Sequence, residues 1–328
     1  MSVRYWLRVA LDVPLPDLFD YYHTQPVAIG TRVLVRFGAR QLIGMVIETP
    51  NQPVFQADLV KPIQQALNDL PPLPASWLAM ARFAAAYYQR PLGEVVLPVL
   101  PAPLRRPAAY TGKNSAGGPI ARLLKRQSNK KKTAAKPTTI KPPLLNSEQQ
   151  QVLQSITSTP APARFLLYGV TGSGKTEIYL RLAQEVLRQG KQVLFMVPEI
   201  NLTPQFEKTL RQRLVDEALL PYPIAVMHSG LADGKRLESW LAVSQGQARV
   251  LLGTRMSVFA PMPELGLIIV DEEHDPSYKQ QDGLRYSARD LAVWRAQQLS
   301  ISIVLGSATP SFESWRHAQQ GHYQLLQL

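Results

Sequence analysis

Six short apolar runs follow one another in the second half of the chain, at 164–168, 192–197, 224–227, 250–253, 267–270 and 301–305. Helical periodicity fills most of the intervals between them, at 176–188, 205–217, 235–244 and 287–298. Strands that alternate with helices form βαβ units with a mainly parallel sheet. The runs are apolar throughout, as expected of strands whose two faces are both covered by helices. The pattern predicts an α/β domain at 142–328.

The first 103 residues have a different pattern. Short alternating apolar runs occur at 5–9, 31–37 and 42–48, and glycine or proline lies between them. Alternation with tight turns is typical of β-hairpins. One helix is predicted at 75–88, where one face is shared by Trp77, Leu78, Ala81, Ala84, Ala85 and Tyr88. We therefore expect a small β-rich domain at 1–103.

The positive charge is concentrated between these two parts. The formal net charge is +12, and residues 104–141 contain eleven Lys and Arg and no Asp or Glu. Glycine, proline and small polar residues separate the charges, so we expect a disordered linker there. It is either a solvated spacer or an arm that binds nucleic-acid phosphates.

Composition excludes several classes of site. The chain has no cysteine, so a disulfide framework, an iron–sulfur cluster and a thiol nucleophile are excluded, and zinc is not an expected cofactor. No run approaches the about 18 to 20 apolar residues that span a bilayer, and the first residues do not resemble a secretory signal. We expect a cytoplasmic protein with no membrane partner.

A phosphate-binding loop follows the strand at 164–168. The pattern G-x-x-x-x-G-K-[ST] is met with a strand before it and a helix after it. In this motif backbone N–H groups surround a polyphosphate, the lysine reaches the β- and γ-phosphates, and the final hydroxyl holds Mg²⁺. The sequence therefore predicts that ATP is bound by Gly169, Val170, Thr171, Gly172, Ser173, Gly174, Lys175 and Thr176. Of these, Lys175 is predicted to be catalytic and Thr176 to be a metal ligand.

Acidic residues follow the strand at 267–270. Asp271 is the candidate Mg²⁺ ligand, either directly or through an intervening group, and Glu272 is the candidate base that orients or deprotonates the attacking water. His274 is expected to couple the γ-phosphate to neighbouring elements, although a simple hydrogen-bonded histidine is the alternative. Ser307 and Thr309 come at the end of the strand at 301–305. Small hydroxyl residues beside a nucleotide crevice suit the same coupling role.

With these three motifs in this order, the chain resembles superfamily-2 helicases, and within them the bacterial replication-restart DNA helicases. The resemblance implies a RecA-like motor lobe at 142–328 that binds ATP and Mg²⁺. The motif at 145–149 matches the one that places a glutamine, here Gln149, on the adenine ring. The segment at 253–255 matches one that lies along single-stranded DNA, which implies DNA contacts by Thr254 and Arg255.

Residues 275–290 are similar to the aromatic-rich loop by which these helicases sense DNA. Tyr278 and Tyr286 would stack on splayed bases, and phosphate contacts would come from Lys279, Arg285 and Arg289. A surface loop pinned by two tyrosines is the alternative. Ser287 stands where the family usually has histidine.

The segment at 13–21 resembles the small domain that captures the 3′ end of a nascent strand in this family. The resemblance implies base stacking by Phe19, a polar base contact by Asp20, close backbone approach at Gly38 and a backbone or base-edge contact by Lys61. Stacking with a few polar contacts is how unpaired bases are usually recognised.

The chain departs from the family pattern in two places. The basic linker stands where the family has a winged-helix domain, and the second motor lobe, zinc module and C-terminal domain would follow Leu328. We expect a truncated or fragmentary helicase component that binds Mg·ATP and forked, single-stranded or 3′-ended DNA but hydrolyses and unwinds poorly alone. The resemblance also implies primosome proteins and single-strand-binding protein as partners, and association with the nucleoid.

Two other functions fit the residues. One is a non-catalytic fork or 3′-end binding module with a vestigial ATP site. The other is a P-loop ATPase that acts on something other than DNA.

Overall fold

The structure is a computed structural model that describes residues 3–111, 117–128, 142–215 and 222–328, without the side chains of 127 and 128. The chain divides into two compact units. The first unit contains residues 1–133 and the short segment 232–238, and the second contains 134–231 and 239–328. Among the described helices, none is both long and apolar enough to cross a membrane.

The first unit is built on a six-stranded sheet with the strand order β5-β2-β1-β4-β3-β6. The strands are β1 (Tyr5–Leu11), β2 (Phe19–His23), β3 (Arg32–Phe37), β4 (Arg40–Glu48), β5 (Lys61–Pro62) and β6 (Gln65–Leu67). The long pairs are antiparallel, while β2 and β5 are parallel. Alternate apolar residues of these strands form one core, as the sequence pattern predicts for a β-rich domain.

Helices follow this sheet along the chain. They are α1 (Ala75–Tyr87), α2 (Gly93–Val96), α3 (Ala102–Arg105) and α4 (Gly118–Ser128). Four residues of the predicted face, Trp77, Leu78, Ala81 and Ala84, are buried, while Ala85 and Tyr88 are only partly buried. Beyond residue 103 the structure therefore contains the end of α3, a single 3₁₀ turn at Pro107–Ala109 and α4.

A buried polar cluster joins the segment after residue 103 to the sheet. Arg32 of β3 donates to the carbonyl of Leu104 at 3.0 Å and to the hydroxyl of Tyr110 at 2.5 Å. The same guanidinium contacts Asp69 at 2.5 Å, and the Tyr110 hydroxyl donates to Asp69 at 3.1 Å. Leu104 and Tyr110 are buried. The structure therefore differs from the disordered linker expected at 104–141, because residues 104–110 pack into the first unit. Lys113 and residues 129–141 lie outside the described residues.

The second unit contains a seven-stranded parallel sheet with the order β13-β7-β12-β11-β8-β10-β9. Its strands are β7 (Arg164–Tyr168), β8 (Gln192–Met196), β9 (Ile224–Met227), β10 (Val250–Gly253), β11 (Leu265–Val270), β12 (Ser302–Ser307) and β13 (Gln324–Gln327). The six predicted strands are present within two residues of their predicted ends. The edge strand β13 was missed, because its four residues follow a short helix and form no long apolar run.

The helices in this part of the chain are α5 (Ser147–Ser158), α6 (Lys175–Arg188), α7 (Pro204–Arg213), α8 (Asp233–Ser244), α9 (Ala288–Gln298) and α10 (Phe312–Gln319). The division into units falls within α8, whose residues up to 238 belong to the first unit. The four predicted helices correspond to α6, α7, α8 and α9. The predicted α/β class with a β-rich domain before it is confirmed. Strands β7, β12 and β11 are neighbours, so the three motifs that follow or end them lie at one edge of the sheet.

Candidate nucleotide site and nucleic-acid interface

The loop at 169–174 turns between the end of β7 and the start of α6. Gly172 and Gly174 have φ angles of +85° and +96°, a left-handed conformation that glycine adopts without a steric penalty. The Gly169 N–H donates to the carbonyl of Ser307 at 3.2 Å, which attaches the loop to the end of β12. The loop therefore has the local backbone that the phosphate-binding motif requires.

Lys175 begins α6 with its side chain folded over the loop. Its Nζ donates to the carbonyl oxygens of Gly169 at 2.7 Å and Val170 at 3.3 Å, and only 7% of the residue is exposed. Thr176 follows it in the first turn of α6. A buried ammonium group that donates to loop carbonyls can donate more strongly to phosphate oxygens, because these carry more negative charge than carbonyl oxygens.

Gln149 connects the start of α5 to this loop. Its side chain accepts from the N–H of Asn146 at 3.1 Å in a capping box, and its Nε2 donates to the carbonyl of Ser173 at 3.1 Å. Both ends of the amide are thus used within the protein. The contact of Gln149 with adenine remains a prediction.

Asp271 follows β11 on the same side of the sheet as the phosphate loop. Its Oδ1 accepts a hydrogen bond of 3.1 Å from the hydroxyl of Tyr179, one turn along α6 from Lys175. Burial, and then the neighbouring carboxylate of Glu272, raise the pKa of Asp271 to about 6, while Tyr179 and Lys175 act to lower it. The carboxyl group is therefore close enough to Lys175 to be influenced by its charge.

Glu272 has a left-handed backbone with a φ of +46°. This conformation is uncommon for a residue with a side chain and costs on the order of 1 kcal/mol or more, so it requires support from its surroundings. The carboxylate of Glu272 lies 3.6 Å from Nδ1 of His274. Strained residues of this kind cluster at functional sites.

His274 bridges the ends of β11 and β12. Its Nδ1 shares a 2.8 Å hydrogen bond with Oγ of Ser307, and its Nε2 lies 3.3 Å from Oγ1 of Thr309. The Thr309 N–H also donates to Ser307 Oγ at 2.9 Å. The three residues predicted to couple nucleotide state to neighbouring elements are thus in direct contact; coupling itself remains a prediction.

Glu273 organises this region, and sequence reasoning missed it. Its carboxylate is buried and accepts hydrogen bonds from the N–H and hydroxyl of Ser311, the hydroxyl of Ser314 and the guanidinium of Arg289. It therefore ties the turn after β11 to the starts of α9 and α10. The strand-end position of an acidic residue was the available signal, but two other carboxylates share it.

The structure corrects the base-stacking role predicted for the two tyrosines of the loop at 275–287. Tyr278 is 3% exposed, and its hydroxyl donates to the carbonyl of Asp271 at 2.7 Å. Tyr286 is 6% exposed, and its ring packs edge-on against Phe259 at 5.0 Å. Neither ring offers a face to a base. The alternative, a loop pinned by two tyrosines, agrees with the structure.

Two further residues that were predicted to contact DNA lie largely inside the protein. Thr254 is 2% exposed, so its side chain does not reach the surface. Arg289 is held by Glu273 at 3.0 Å and by Asp290 at 2.8 Å. The buried hydroxyl of Thr254 has no hydrogen-bond partner among the described residues, whereas Arg289 is paired. These positions do not favour a DNA contact by either side chain, and both contacts remain predictions.

The other cationic candidates are accessible to different degrees. Lys279 and Arg285 are exposed. Arg255 is half-buried and donates to Gln280 at 2.6 Å and to the carbonyl of Ser277 at 3.1 Å, so the segment at 253–255 supports the loop at 275–287. Their contacts with DNA remain predictions.

The predicted 3′-end residues lie on neighbouring elements of the first unit. Phe19 is half-buried and packs edge-on against Phe37 at 5.0 Å, next to Gly38, which has a φ of +58°. Lys61 is exposed in β5 and pairs with a residue of β2. The four residues, Phe19, Asp20, Gly38 and Lys61, are thus gathered at one region of the sheet.

Asp20 has a structural task that the sequence did not reveal. Its Oδ2 accepts hydrogen bonds from the backbone N–H groups of Val54 at 2.7 Å and Phe55 at 3.0 Å. Its buried Oδ1 has no hydrogen-bond partner among the described residues. The loop that Asp20 holds presents an exposed phenyl ring, since Phe55 is 66% exposed.

The residues of the nucleotide site fit ATP and Mg²⁺. The hydroxyl of Ser173 in the loop is buried with no hydrogen-bond partner among the described residues, and a β-carbon on Gly174 would overlap the amide of Gln149. Within the described residues there is no group of three His, Asp or Glu side chains arranged around a cation. Mg²⁺ characteristically uses one or two protein ligands together with substrate phosphates.

Two family models match the sequence. The model of the 3′ DNA-binding domain (3′BD) of PriA matches residues 8–101. The model of the DEAD/DEAH box helicase matches residues 146–317, which is more than half of the chain.

Curated relatives match from just over half to nearly the whole of the chain. Replication restart protein PriA of Haemophilus influenzae is 38% identical over 98% of this chain and 51% of that protein. Replication restart protein PriA of Treponema pallidum is 36% identical over 98% of this chain and 47% of that protein. That of Bacillus subtilis is 44% identical over 56% of this chain and 22% of that protein. The chain thus spans about half the length of the first two relatives.

The chain belongs to the DEAD/DEAH box helicase family. It resembles the N-terminal portion of replication restart protein PriA, with the 3′ DNA-binding domain and one motor lobe.

Proposed function

We propose that the second unit binds Mg·ATP at the edge of the sheet where β7, β11 and β12 end, as the nucleotide site of a replication-restart DNA helicase. The observation that carries this proposal is the contact of α6 with Asp271. Lys175 folds over the phosphate loop, and one turn later Tyr179 donates to the Asp271 carboxylate at 3.1 Å. The phosphate-binding lysine and the acidic residues therefore face the same space.

In this assignment the loop N–H groups and Lys175 bind the phosphates. Thr176 and Asp271 hold Mg²⁺, which supplies charge neutralisation at the phosphate oxygens. Glu272 orients and accepts a proton from the attacking water. The hydrogen bonds of His274 with Ser307 and Thr309 support a role in coupling the state of this site to the element after β12.

Nucleotide binding is tested with a fluorescent ADP analogue and the 328-residue chain. Lys175→Ala removes charge-assisted hydrogen bonds worth about 1.5–3 kcal/mol, so we expect the dissociation constant to rise at least about 10-fold. Lys191→Ala is the matched control, because Lys191 lies on the surface beside Glu264 at 3.4 Å. Equal affinity of Lys175→Ala and the unaltered chain, or no binding by the unaltered chain, would contradict the proposal.

We further propose that the first unit binds DNA at the 3′ end of a strand or at a fork. The positions of Phe19, Gly38 and Lys61 support this, together with the match to the 3′ DNA-binding domain of PriA. Asp20, whose side chain is 4% exposed, contributes by holding the loop at Val54 and Phe55. The basic segment at 104–141 adds phosphate contacts, and primosome proteins and single-strand-binding protein are proposed partners. The relatives' names support a role in replication restart.

The 3′-end assignment is tested by fluorescence anisotropy with single strands that carry a free or a phosphorylated 3′ hydroxyl. We expect tighter binding of the free end by the unaltered chain and loss of this preference in Phe19→Ala. Phe83→Ala, which removes a half-buried ring on α1, is the matched control. Equal affinity of the unaltered chain for the free and the phosphorylated 3′ end would count against the assignment.

Replacement of the basic residues at 122–136 by glutamine is expected to flatten the dependence of DNA affinity on salt concentration.

We propose that these 328 residues alone hydrolyse ATP slowly and unwind DNA poorly. Helicase motors hydrolyse ATP between two lobes, and the arginine of the second lobe contributes on the order of 10³–10⁵ in rate in related nucleotidases. The chain spans about half the length of its relatives and includes one such lobe. ATPase assays with and without forked DNA test this; fast DNA-stimulated turnover would contradict it, and Mg·ATP binding without any turnover would favour the non-catalytic binding module.

A further inference from the structure

Tyr179 contacts all three motifs of the proposed nucleotide site. It lies on α6 one turn after Lys175, and its side chain is entirely buried. Its hydroxyl donates to Oδ1 of Asp271 at 3.1 Å, and its ring packs edge-on against Phe195 with centroids 5.7 Å apart. The aromatic contact fixes the ring, so the hydroxyl has a defined direction toward the carboxylate.

Gly306 of β12 makes room for this hydroxyl. A methyl group at position 306 would overlap the hydroxyl oxygen of Tyr179. Position 306 is buried, and its carbonyl accepts from the N–H of Glu273 at 3.0 Å, which connects β12 to the turn that contains Asp271. Glycine is thus required at position 306 because the Tyr179 hydroxyl fills the space of a side chain, and not because the backbone there has a positive φ.

We propose that Tyr179 is a positioning residue that orients the carboxylate of Asp271 toward Mg²⁺. The hydrogen bond from the tyrosine hydroxyl to Oδ1 fixes how the carboxylate is turned, and Asp271 in that orientation would hold the metal ion. Residues that hydrogen-bond to metal ligands fix the ligand's orientation, and their loss typically weakens metal affinity by about 10- to 100-fold. This inference rests on the proposed Mg·ATP site and specifies how that site holds its acidic ligand.

A purely structural tyrosine would behave differently. Buried tyrosines usually find a hydrogen-bond partner, and losing that bond lowers stability whether or not a ligand is present. A positioning role instead changes the metal dependence of nucleotide binding and leaves metal-free binding unchanged. The two roles are therefore separated by titrating the metal, without measuring turnover.

The experiment compares Tyr179→Phe with the unaltered chain. Binding of a fluorescent ADP analogue is measured in EDTA and then as Mg²⁺ is added, and the signal of free Mn²⁺ in electron paramagnetic resonance counts bound metal directly. We expect equal nucleotide affinity in EDTA and about 10- to 100-fold weaker metal binding in Tyr179→Phe. Tyr21→Phe, which removes the bond of another buried hydroxyl to the carbonyl of Arg36 at 3.0 Å, should match the unaltered chain.

Gly306→Ala provides a second variant, because its methyl group displaces the same hydroxyl while Tyr179 is retained. We expect it to weaken metal binding as Tyr179→Phe does, with circular dichroism used to establish that each variant is folded. Identical metal titrations for Tyr179→Phe and the unaltered chain would overturn the inference and leave the proposed function intact. An unaltered chain that binds nucleotide in neither condition would instead overturn the proposed function.

Discussion

The guanidinium of Arg289 lies 3.0 Å from the carboxylate of Glu273, whose side chain the fold excludes completely from solvent. The same carboxylate accepts from Ser311 and Ser314 at the start of α10. A buried charge of this kind is stable only when it is paired and hydrogen-bonded. The pair therefore connects the turn after β11, the start of α9 and the start of α10 into one polar network.

Arg289→Met is expected to destabilise the second unit by about 3–5 kcal/mol, because it leaves the Glu273 carboxylate buried without its cation. Urea unfolding measures this change. Arg285→Met is the control, since Arg285 is exposed and its replacement should change stability by less than about 0.5 kcal/mol. If Arg289→Met instead lost DNA affinity with unchanged stability, Arg289 would be assigned to the DNA interface.

Tyr286→Ala is expected to cost about 3–5 kcal/mol of stability, because it removes a buried ring that packs against Phe259. Tyr286→Phe keeps the ring contact and serves as the control. At temperatures where both variants are folded, we expect unchanged affinity for single-stranded DNA. If Tyr286→Ala lost DNA affinity by about 1–3 kcal/mol, the contribution of one stacked base, without losing stability, the buried position of Tyr286 would be contradicted.

Tyr110→Phe tests whether the segment after residue 103 belongs to the first unit. The variant removes the hydroxyl that binds Arg32 and Asp69, so we expect a loss of about 1–3 kcal/mol in the free energy of unfolding. Tyr87→Phe, at a position that is 64% exposed, should change it by less than about 0.5 kcal/mol. Equal stability of the two variants would indicate that 104–110 act as a linker.

Glu177 makes the stability of the second unit sensitive to acid. Burial alone would raise the pKa of Glu177, but hydrogen bonds from Arg213 at 2.7 Å and Arg181 at 2.8 Å outweigh it and lower the pKa from 4.5. A lowered pKa in the folded state stabilises the protein above the unfolded value, and this stability is lost as the pH falls through the folded value.

The corresponding measurement is the free energy of unfolding between neutral pH and the acid range below about 4.5. Glu177→Gln should flatten the decline at acid pH and lower stability at neutral pH by about 3 kcal/mol, since Arg213 loses its buried partner. Glu185→Gln, at an exposed ion pair with Arg188 of 3.4 Å, should retain the pH dependence of the unaltered chain. A decline of equal slope in Glu177→Gln would refute the assignment.

Much of the second unit could be predicted because its signals are local. The strand ends, the helix at 175–188 and the loop at 169–176 each depend on residues that are contiguous in sequence. The edge strand β13 and the ordered segment around Tyr110 were missed, since each is held by partners far along the chain, on β7 and on β3. Short segments take their structure from such partners more than from their own pattern.

The sequence by itself determined the two-domain class, the phosphate loop and the acidic strand end, because glycine, lysine and carboxylate spacing act through backbone geometry over a few residues. Only the tertiary structure decided that Tyr278 and Tyr286 point into the protein, that Glu273 is the buried centre of a network, and that Tyr179 reaches Asp271. The solvent exposure and hydrogen-bond partners of a side chain depend on residues distant in sequence, and a linear pattern contains no measure of those distances.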